Sequence, residues 1–561
     1  MSKKELFLLC IDGGDLDLFS PLMKMGKMPH LKKIKEEGAH GYLTSTLPPI
    51  TAPAWSSFIT GKNPGKHGIY GFALKKKESY EHTILNSASR GGKPFWDILG
   101  EKDKKAVVLN LPTTYPPTPV NGAMISGFLT PSGKRDFTYP KALVEELEDK
   151  FGPYPLYFKT PIAITNDKNI DDFLKECLYA LEYKFKAAFY LKEKYKSDIT
   201  ILHIWETDQI FHWLLHILDE KHPAFDKKKK DKFIDKVHDY FFQLDQKIGS
   251  ILNGLGENGA LIIASDHGLN SFHLSLDLNT WLYHQGYLSL KKSMSTRLRL
   301  LLWRLGITPE FLMDKILMKA LKRGIKLRFR SPLELIELLN KRNFLFLSLY
   351  DIDWSRTRAF SRFGFGQIFF NVRGRDPEGI VNPGEEYNFL KKEIMKKLNE
   401  IINPETGLPF KDAVFCKEDV YKGPYFDDAP DIIFSPLGEH CLPTDNFMTK
   451  SLFTTSSLIS GIHRREGIFL AIGSPFTRRI KLKKTSIMDI APTLLYALGC
   501  EIPEDMDGKV LKEIFPPQFL ADNLLKYSAP EKIDEGKSRH SLSEEEEKDL
   551  KSRLKALGYL S

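Results

Sequence analysis

The sequence predicts an α/β protein: a doubly wound, mostly parallel sheet flanked by helices, interrupted by an inserted cap region. Three observations lead there. Residues 6–11, 107–109 and 260–264 are short apolar runs, as strands buried on both faces require. Segments with helical periodicity alternate with such runs, which marks a parallel sheet. Two of the runs end in Asp12-Gly13-Gly14 and Asp266-His267-Gly268, at the strand ends where such sheets collect functional groups.

In chain order, residues 6–11 form the first strand and deliver Asp12. Pro53 suits the first turn of a helix that residues 54–60 continue, which puts Thr51 near the N-cap. Residues 107–109 are a strand, 171–195 a helix, and 201–204 the strand after it. If the next helix begins at Thr207 or Asp208, Asp208 and His212 share one face, a turn apart. Residues 260–264 deliver Asp266 and His267. The core resumes near His463, with a strand at 468–472 and a helix at 489–498.

This organisation predicts a core of residues 1–270 and 451–515, an inserted cap of 271–450, and a polar tail of 516–561. Within the cap, residues 297–330 are basic and amphipathic. Leu300, Leu301, Trp303, Leu305, Phe311, Ile316 and Leu317 supply the apolar side. The stretch reads as a pair of cap helices packed on the core; the alternative is a surface making peripheral contact with lipid headgroups. In the tail, about 527–541 reads as a linker, and Ser543 with Glu546 forms the capping box of a terminal helix.

Composition narrows the function. At 561 residues with 42% hydrophobic content, the chain suits a globular enzyme with a large core. Its five cysteines include no CxxC, which argues against a disulfide framework or a thiolate zinc site. Only six apolar residues precede Asp12, too few for a secretory signal. No apolar run reaches the roughly 18–20 residues of a membrane span. A cytoplasmic location is expected. The net charge of +9 is modest, Lys227–Lys230 reads as a solvated helix face, and no nucleic-acid module is present.

The chemistry lies in six metal-ligand side chains and one threonine: Asp12, Thr51, Asp208, His212, Asp266, His267 and His463. Three carboxylates and three imidazoles make two three-ligand sites, and the hydroxyl completes one of them. Each segment alone has a plainer reading: a capping threonine, a core Asp–His pair, a strand-end turn. His203 and His216 flank the Asp208–His212 pair as possible decoys. What favours chemistry at Thr51 is its place at a helix N-terminus, where free amides and the dipole favour a phosphoryl oxygen. A hydroxyl polarised by a metal is a nucleophile.

In this order the segments resemble the alkaline phosphatase superfamily. They are most similar to its type I phosphodiesterase / nucleotide pyrophosphatase branch and to phosphohydrolase/phosphomutase-like relatives in bacteria and archaea. The resemblance runs from about residue 5 to 515 and includes TGKNPGKHGI (60–69), IDWSRTRAF (352–360) and DIAPTLLYALG (489–499). It implies an alkaline-phosphatase-like fold and hydrolysis of a small-molecule phosphoester, a nucleotide or a lipid-like diester, through a covalent phospho-threonine. It assigns one divalent ion to Asp12, Thr51, Asp266 and His267, and the other to Asp208, His212 and His463. Zinc is implied, with manganese the alternative.

Two departures matter. The segment Thr51-Ala52-Pro53-Ala54-Trp55 lacks the Cys or Ser and the arginine of sulfatases. The place where nucleotide pyrophosphatases carry an asparagine falls on Phe72. Two divalent ions, three aspartates and a threonine alkoxide sum to zero charge. A diester fits that sum more easily than a dianionic monoester, unless Arg90, Lys93, Arg358, Arg362, Arg464 or Arg465 adds a cation. A phosphomonoesterase or phosphomutase would use the same residues; a catalytically silent phospho-ligand-binding module is the alternative from another class.

Overall fold

The computed structural model describes residues 5–76, 78–158, 166–312, 345–455, 459–476, 479–531, 542–557 and 559. Ten strands make the main sheet. They are β1 (Glu5–Ile11), β2 (Ala39–Thr44), β3 (Ala106–Leu109), β4 (Gly122–Ile125), β5 (Thr138–Tyr139), β6 (Ile199–Ile204), β7 (Gly259–Ala264), β8 (Glu466–Gly473), β9 (Ile480–Lys481) and β10 (Thr485–Ser486). Their order is β9-β2-β8-β7-β1-β6-β3-β4-β5, with β10 also beside β2. The run β7-β1-β6-β3-β4 is parallel. β8 lies antiparallel between β7 and β2, and β5 antiparallel to β4.

Side chains explain why this sheet has helices on both faces. Leu6, Leu8 and Cys10 join one core cluster, while Phe7, Leu9 and Ile11 join the other. β7 divides the same way, with Ala260, Ile262 and Ala264 against Leu261 and Ile263. A strand apolar at every position is stable only when both faces are covered. The helices Asp167–Tyr195 and Lys227–Asn253 and α2 (Glu206–Leu218) cover one face; α1 (Thr51–Thr60) and Ile490–Ala497 cover the other. No described helix is long and apolar enough to cross a membrane.

Between β7 and β8 the described residues form three smaller sheets, one of them the two-stranded pairing of Gly268–Ser271 with Gly461–Arg464. Leu274–Asp277 pairs with Cys441–Thr444 and Phe453–Thr454. Ala359–Ser361, Gln367–Phe370, Ile432–Phe434 and Val414–Cys416 form a four-stranded sheet. The latter is tied by the buried Asp431 carboxylate. Arg375 grips it through Nη1 at 2.9 Å and Nη2 at 2.8 Å, and the Tyr387 hydroxyl and Phe370 amide donate at 2.7 Å. Burial alone would raise this acid, but Arg375 and then Lys417 outweigh it and hold it at about 2.

The basic stretch departs from the expected pattern. Its described helix, Met294–Arg304, buries Trp303 but leaves Leu298, Leu301 and the following Leu305 exposed. The inward face is set by Arg299, whose guanidinium is buried on Asp351. An ion pair with hydrogen bonds thus takes a place that periodicity gives to leucine. Residues 313–344, with Ile316 and Leu317, lie outside the described residues.

The segment after 515 pairs with and packs on the rest of the chain. Tyr527–Ser528, read as linker, pairs with Ile502–Pro503. α3 (Glu544–Ala556) begins with the predicted Ser543/Glu546 capping box. Its inward Leu550 and Leu554 are fully buried. Two leucines at i,i+4 suffice to dock a helix whose composition is otherwise charged.

Asp431 makes the four-stranded sheet acid-sensitive. Its folded pKa lies below the usual carboxylate value of about 3.9, so its contribution is present above about pH 4 and lost as pH falls toward 2. Arg375→Met leaves the carboxylate buried with fewer partners and should cost about 3–5 kcal/mol. A melting temperature at pH 7 within one degree of wild type would refute this.

Candidate metal centre

All the predicted ligands sit at one edge of the sheet. Asp12 follows β1 in a turn that requires Gly13. That glycine has φ +63°, and a Cβ there would lie 2.3 Å from Leu269 Cδ1 and 3.2 Å from Asp208 Cα. Asp208 and His212 lie in the first turns of α2, directly after β6. Asp266 and His267 follow β7. His463 arrives on Gly461–Arg464, which pairs antiparallel with Gly268–Ser271, the strand just after His267.

Two clusters result, each with its ligand atoms within 4.8 Å of one another: Asp208, His212 and His463, and Asp12, Asp266 and His267. The clusters adjoin, since the His267 and His463 rings stack at 3.6 Å between centroids. Thr51 reaches the same place through its helix. One turn on, the Trp55 indole donates to Asp12 Oδ2 at 3.2 Å. Two residues before, the Pro49 carbonyl accepts from His463 Nδ1 at 2.7 Å. Thr51 lies next to the N-cap: Ile50 takes the cap position and Thr51 is the first helical residue. Its side chain lies against the Tyr559 hydroxyl.

The six side chains share one design: one atom is tethered and the other turns inward, and in Asp12, Asp208, Asp266 and His267 that inward atom is bare. Asp12 Oδ2 takes Trp55 and His203, the latter at 3.0 Å, and leaves Oδ1 without a partner. Asp208 Oδ2 accepts from Gln209 at 2.9 Å and leaves Oδ1 bare. Asp266 Oδ1 accepts from the Gly13 amide at 3.3 Å and leaves Oδ2 bare. The Nδ1 atoms of His212, His267 and His463 donate to the carbonyls of Gly461, Gly268 and Pro49. That fixes the tautomer and turns each Nε2 lone pair inward. His212 Nε2 and His463 Nε2 then face each other at 2.9 Å, with Asp208 Oδ1 at 3.2 and 3.6 Å. Bare lone pairs at such distances, sealed from water, repel unless a cation lies between them. The residues fit two ions.

The electrostatics agree. Burial, then the Asp266 charge, pushes Asp12 well up; burial, then Asp208, does the same to Asp266. Burial, then the His212 charge, lowers His267 to about 3. Burial and the two neighbouring imidazoles also depress His463. Burial works against the Asp208–His212 pair, but their mutual attraction lowers Asp208 and raises His212.

Several contributors had little or no sequence signal. His203 sits on β6 opposite Cys10 and steadies Asp12, so it is a positioning group. His216 instead lies with His222, at 6.2 Å between rings. Phe365, from the inserted region, stands 5.6 Å from the His463 ring. It is set there by a turn, Phe363 to Gly366, in which all four residues have φ between 50° and 79°. Tyr559 comes from beyond α3.

Comparison with known proteins places the chain in a family. Residues 6–330, more than half of the chain, match the model for type I phosphodiesterase / nucleotide pyrophosphatase. The chain belongs to that family, within the alkaline phosphatase superfamily, and so to the enzymes that hydrolyse phosphoric esters. His463 lies beyond the matched span. The fold is similar to phosphonoacetate hydrolase from Sinorhizobium meliloti 1021, solved in complex with phosphonoacetate. That match has a TM-score of 0.51 at 15% identity and covers 88% of this chain and 95% of that one. Human ectonucleotide pyrophosphatase / phosphodiesterase 5 matches with a TM-score of 0.46 at 14% identity, over 93% and 99% of the two chains. No curated protein sequence matches significantly.

Ligands must be deprotonated to bind a metal. Asp12 and Asp266 hold protons more tightly than ordinary carboxylates, so zinc loading should release protons and weaken as pH falls. Titration calorimetry at pH 7 in two buffers of different ionisation enthalpy measures this. Identical heats in both buffers would contradict it.

Proposed function

We propose that this protein is a two-metal phosphodiesterase that works through a covalent phospho-threonine on Thr51. The observation that carries the reading is the set of inward-turned donor atoms beside Thr51, each with its other atom tethered. One ion would be held by Asp12, Thr51, Asp266 and His267, and the other by Asp208, His212 and His463. Their nitrogen and oxygen donors suit zinc, with manganese as the alternative. Bound there, two divalent ions would supply Lewis acidity, easing ionisation of the Thr51 hydroxyl and neutralising charge on the phosphoryl group and the leaving oxygen.

The chain's own residues do the rest. Thr51 Oγ attacks phosphorus in line, and the bond to the leaving oxygen breaks. The first amides of α1, with no acceptor within the helix, face the negative charge that develops. Trp55 and His203 hold Asp12 in its rotamer during the attack. Water then attacks the phospho-threonine from the opposite side, and Thr51 leaves. Two inversions give net retention at phosphorus. Residues 271–450 act as the cap, and the Phe363–Gly366 turn brings it to the cleft.

A diester is favoured over a monoester because several candidate cations are engaged elsewhere. Arg464 is paired with Asp15 at 2.7 Å and Asp17 at 2.6 Å. Arg358 lies against Glu386, and Lys93 is paired with Glu101. Faster turnover of 4-nitrophenyl phosphate than of bis(4-nitrophenyl) phosphate would turn the reading to a phosphomonoesterase.

Thr51→Ala should keep the fold and bound zinc while reducing kcat by about a thousandfold or more, because the nucleophile is lost. Thr51→Ser should retain measurable turnover. A Thr51→Ala protein with kcat within about tenfold of wild type would rule out the covalent route.

A further inference from the structure

The proposed centre is sealed. Thr51 is 2% exposed, His212 is 7% exposed, and the other five ligands are fully buried. No ester reaches Thr51 unless a group now covering it moves.

Tyr559 is such a group. Its hydroxyl lies against the Thr51 side chain and in the field of Asp208, Asp12 and Asp266. Its ring packs on Phe72 at 4.7 Å between centroids. The rings of Phe128, Phe365, His212 and His463 surround it at 6.1–6.3 Å. An ester in position for attack brings phosphorus to about 3–3.5 Å from the nucleophile. The Tyr559 ring, packed beside His212 and His463 with its hydroxyl against Thr51, already fills that space, so ring and ester cannot be there together.

The segment carrying Tyr559 is held by separable contacts. Arg553 donates to the Thr130 carbonyl at 2.8 Å, and its guanidinium lies 3.6 Å from the Tyr157 ring centroid. Asp549 accepts from the Ser132 amide at 2.9 Å, and Lys551 donates to the His82 carbonyl at 3.3 Å. Leu550 and Leu554 complete the seat. α3 supplies no strand to any sheet, so it can lift without breaking strand pairing.

We propose that Tyr559 is an internal competitor of the substrate. It holds the ester's place on Thr51, and it sets which esters gain access because each must displace it and lift α3. This rests on the phosphoesterase reading above.

The test uses the full-length zinc-loaded protein. Tyr559→Ala empties the place, and Arg553→Glu loosens α3 from a half-exposed position outside the centre. If the competent state is a minor fraction, freeing the site lowers apparent binding constants by the inverse of that fraction. Both variants should lower KM for bis(4-nitrophenyl) phosphate by about tenfold with kcat within about threefold. An unchanged KM in Tyr559→Ala, or a kcat loss of about tenfold with KM unchanged, overturns the proposal and makes the ring a wall or a catalytic residue. Calorimetry with inorganic phosphate needs no turnover. Tyr559→Ala should bind phosphate about tenfold more tightly than wild type, and equal affinities overturn the proposal. A protein that hydrolyses no ester yet shows this tighter binding loses the functional reading and keeps this one. A protein that hydrolyses the diester with equal phosphate affinities does the reverse.

Discussion

Three aspartates and three histidines share a small volume from which water is excluded, and the rest of the site is arranged around that constraint. In a medium less polarisable than water, unpaired carboxylates cost several kcal/mol each. The chain nonetheless ties down one atom of each side chain and turns the other inward, and all three carboxylates keep an oxygen without a partner. Gly13, His203, Trp55 and Gln209, with the carbonyls of Pro49, Gly268 and Gly461, spend their hydrogen bonds on aiming these donors. Preorganisation of this kind lowers the reorganisation needed when charge develops on a substrate.

The scaffold meets the constraint by collecting short-range turns at one sheet edge. The crevice beyond parallel strand ends is open to the loops that follow them, so loops distant in sequence meet there. Asp12 and Asp266 need nothing beyond the ends of β1 and β7. His463 needs the extra ribbon, Gly268–Ser271 with Gly461–Arg464, to bring a late segment back beside His267. The inserted region adds Phe365 through four consecutive left-handed residues, two of them phenylalanines. Such a backbone is costly for residues with a Cβ and persists only where surrounding contacts fix it. One such contact is the Phe434 amide, which donates to the Gly366 carbonyl at 2.9 Å, and a Cβ on Gly366 would lie 1.7 Å from the Phe434 carbonyl oxygen.

Much of this was legible in the sequence because it is local. An apolar run ending in Asp-Gly-Gly places Asp12, and an i,i+4 spacing pairs Asp208 with His212. The Ser543/Glu546 capping box likewise marks the start of α3. What escaped depends on partners far along the chain. His203 looks like any core histidine until β6 lies beside β1. Arg299 breaks its amphipathic pattern because Asp351 waits for it. Tyr559 follows a helix whose charged composition suggests solvent, and only the packing of Leu550 and Leu554 turns it inward. Pattern reading registers the period of a helix but not the identity of the surface it meets.

The position of β8 has a consequence for how the chain acquires its fold. This strand, Glu466–Gly473, lies between β7 and β2, which come more than two hundred residues earlier. During synthesis β2 therefore has no route to the main sheet, and β7 presents a raw edge, until nearly the whole chain has been made. Two unpaired edges with apolar faces invite pairing between chains. A chain stopped before residue 466 is thus an aggregation-prone species rather than a smaller enzyme, and the burden of protecting these edges falls on the folding machinery of the cell.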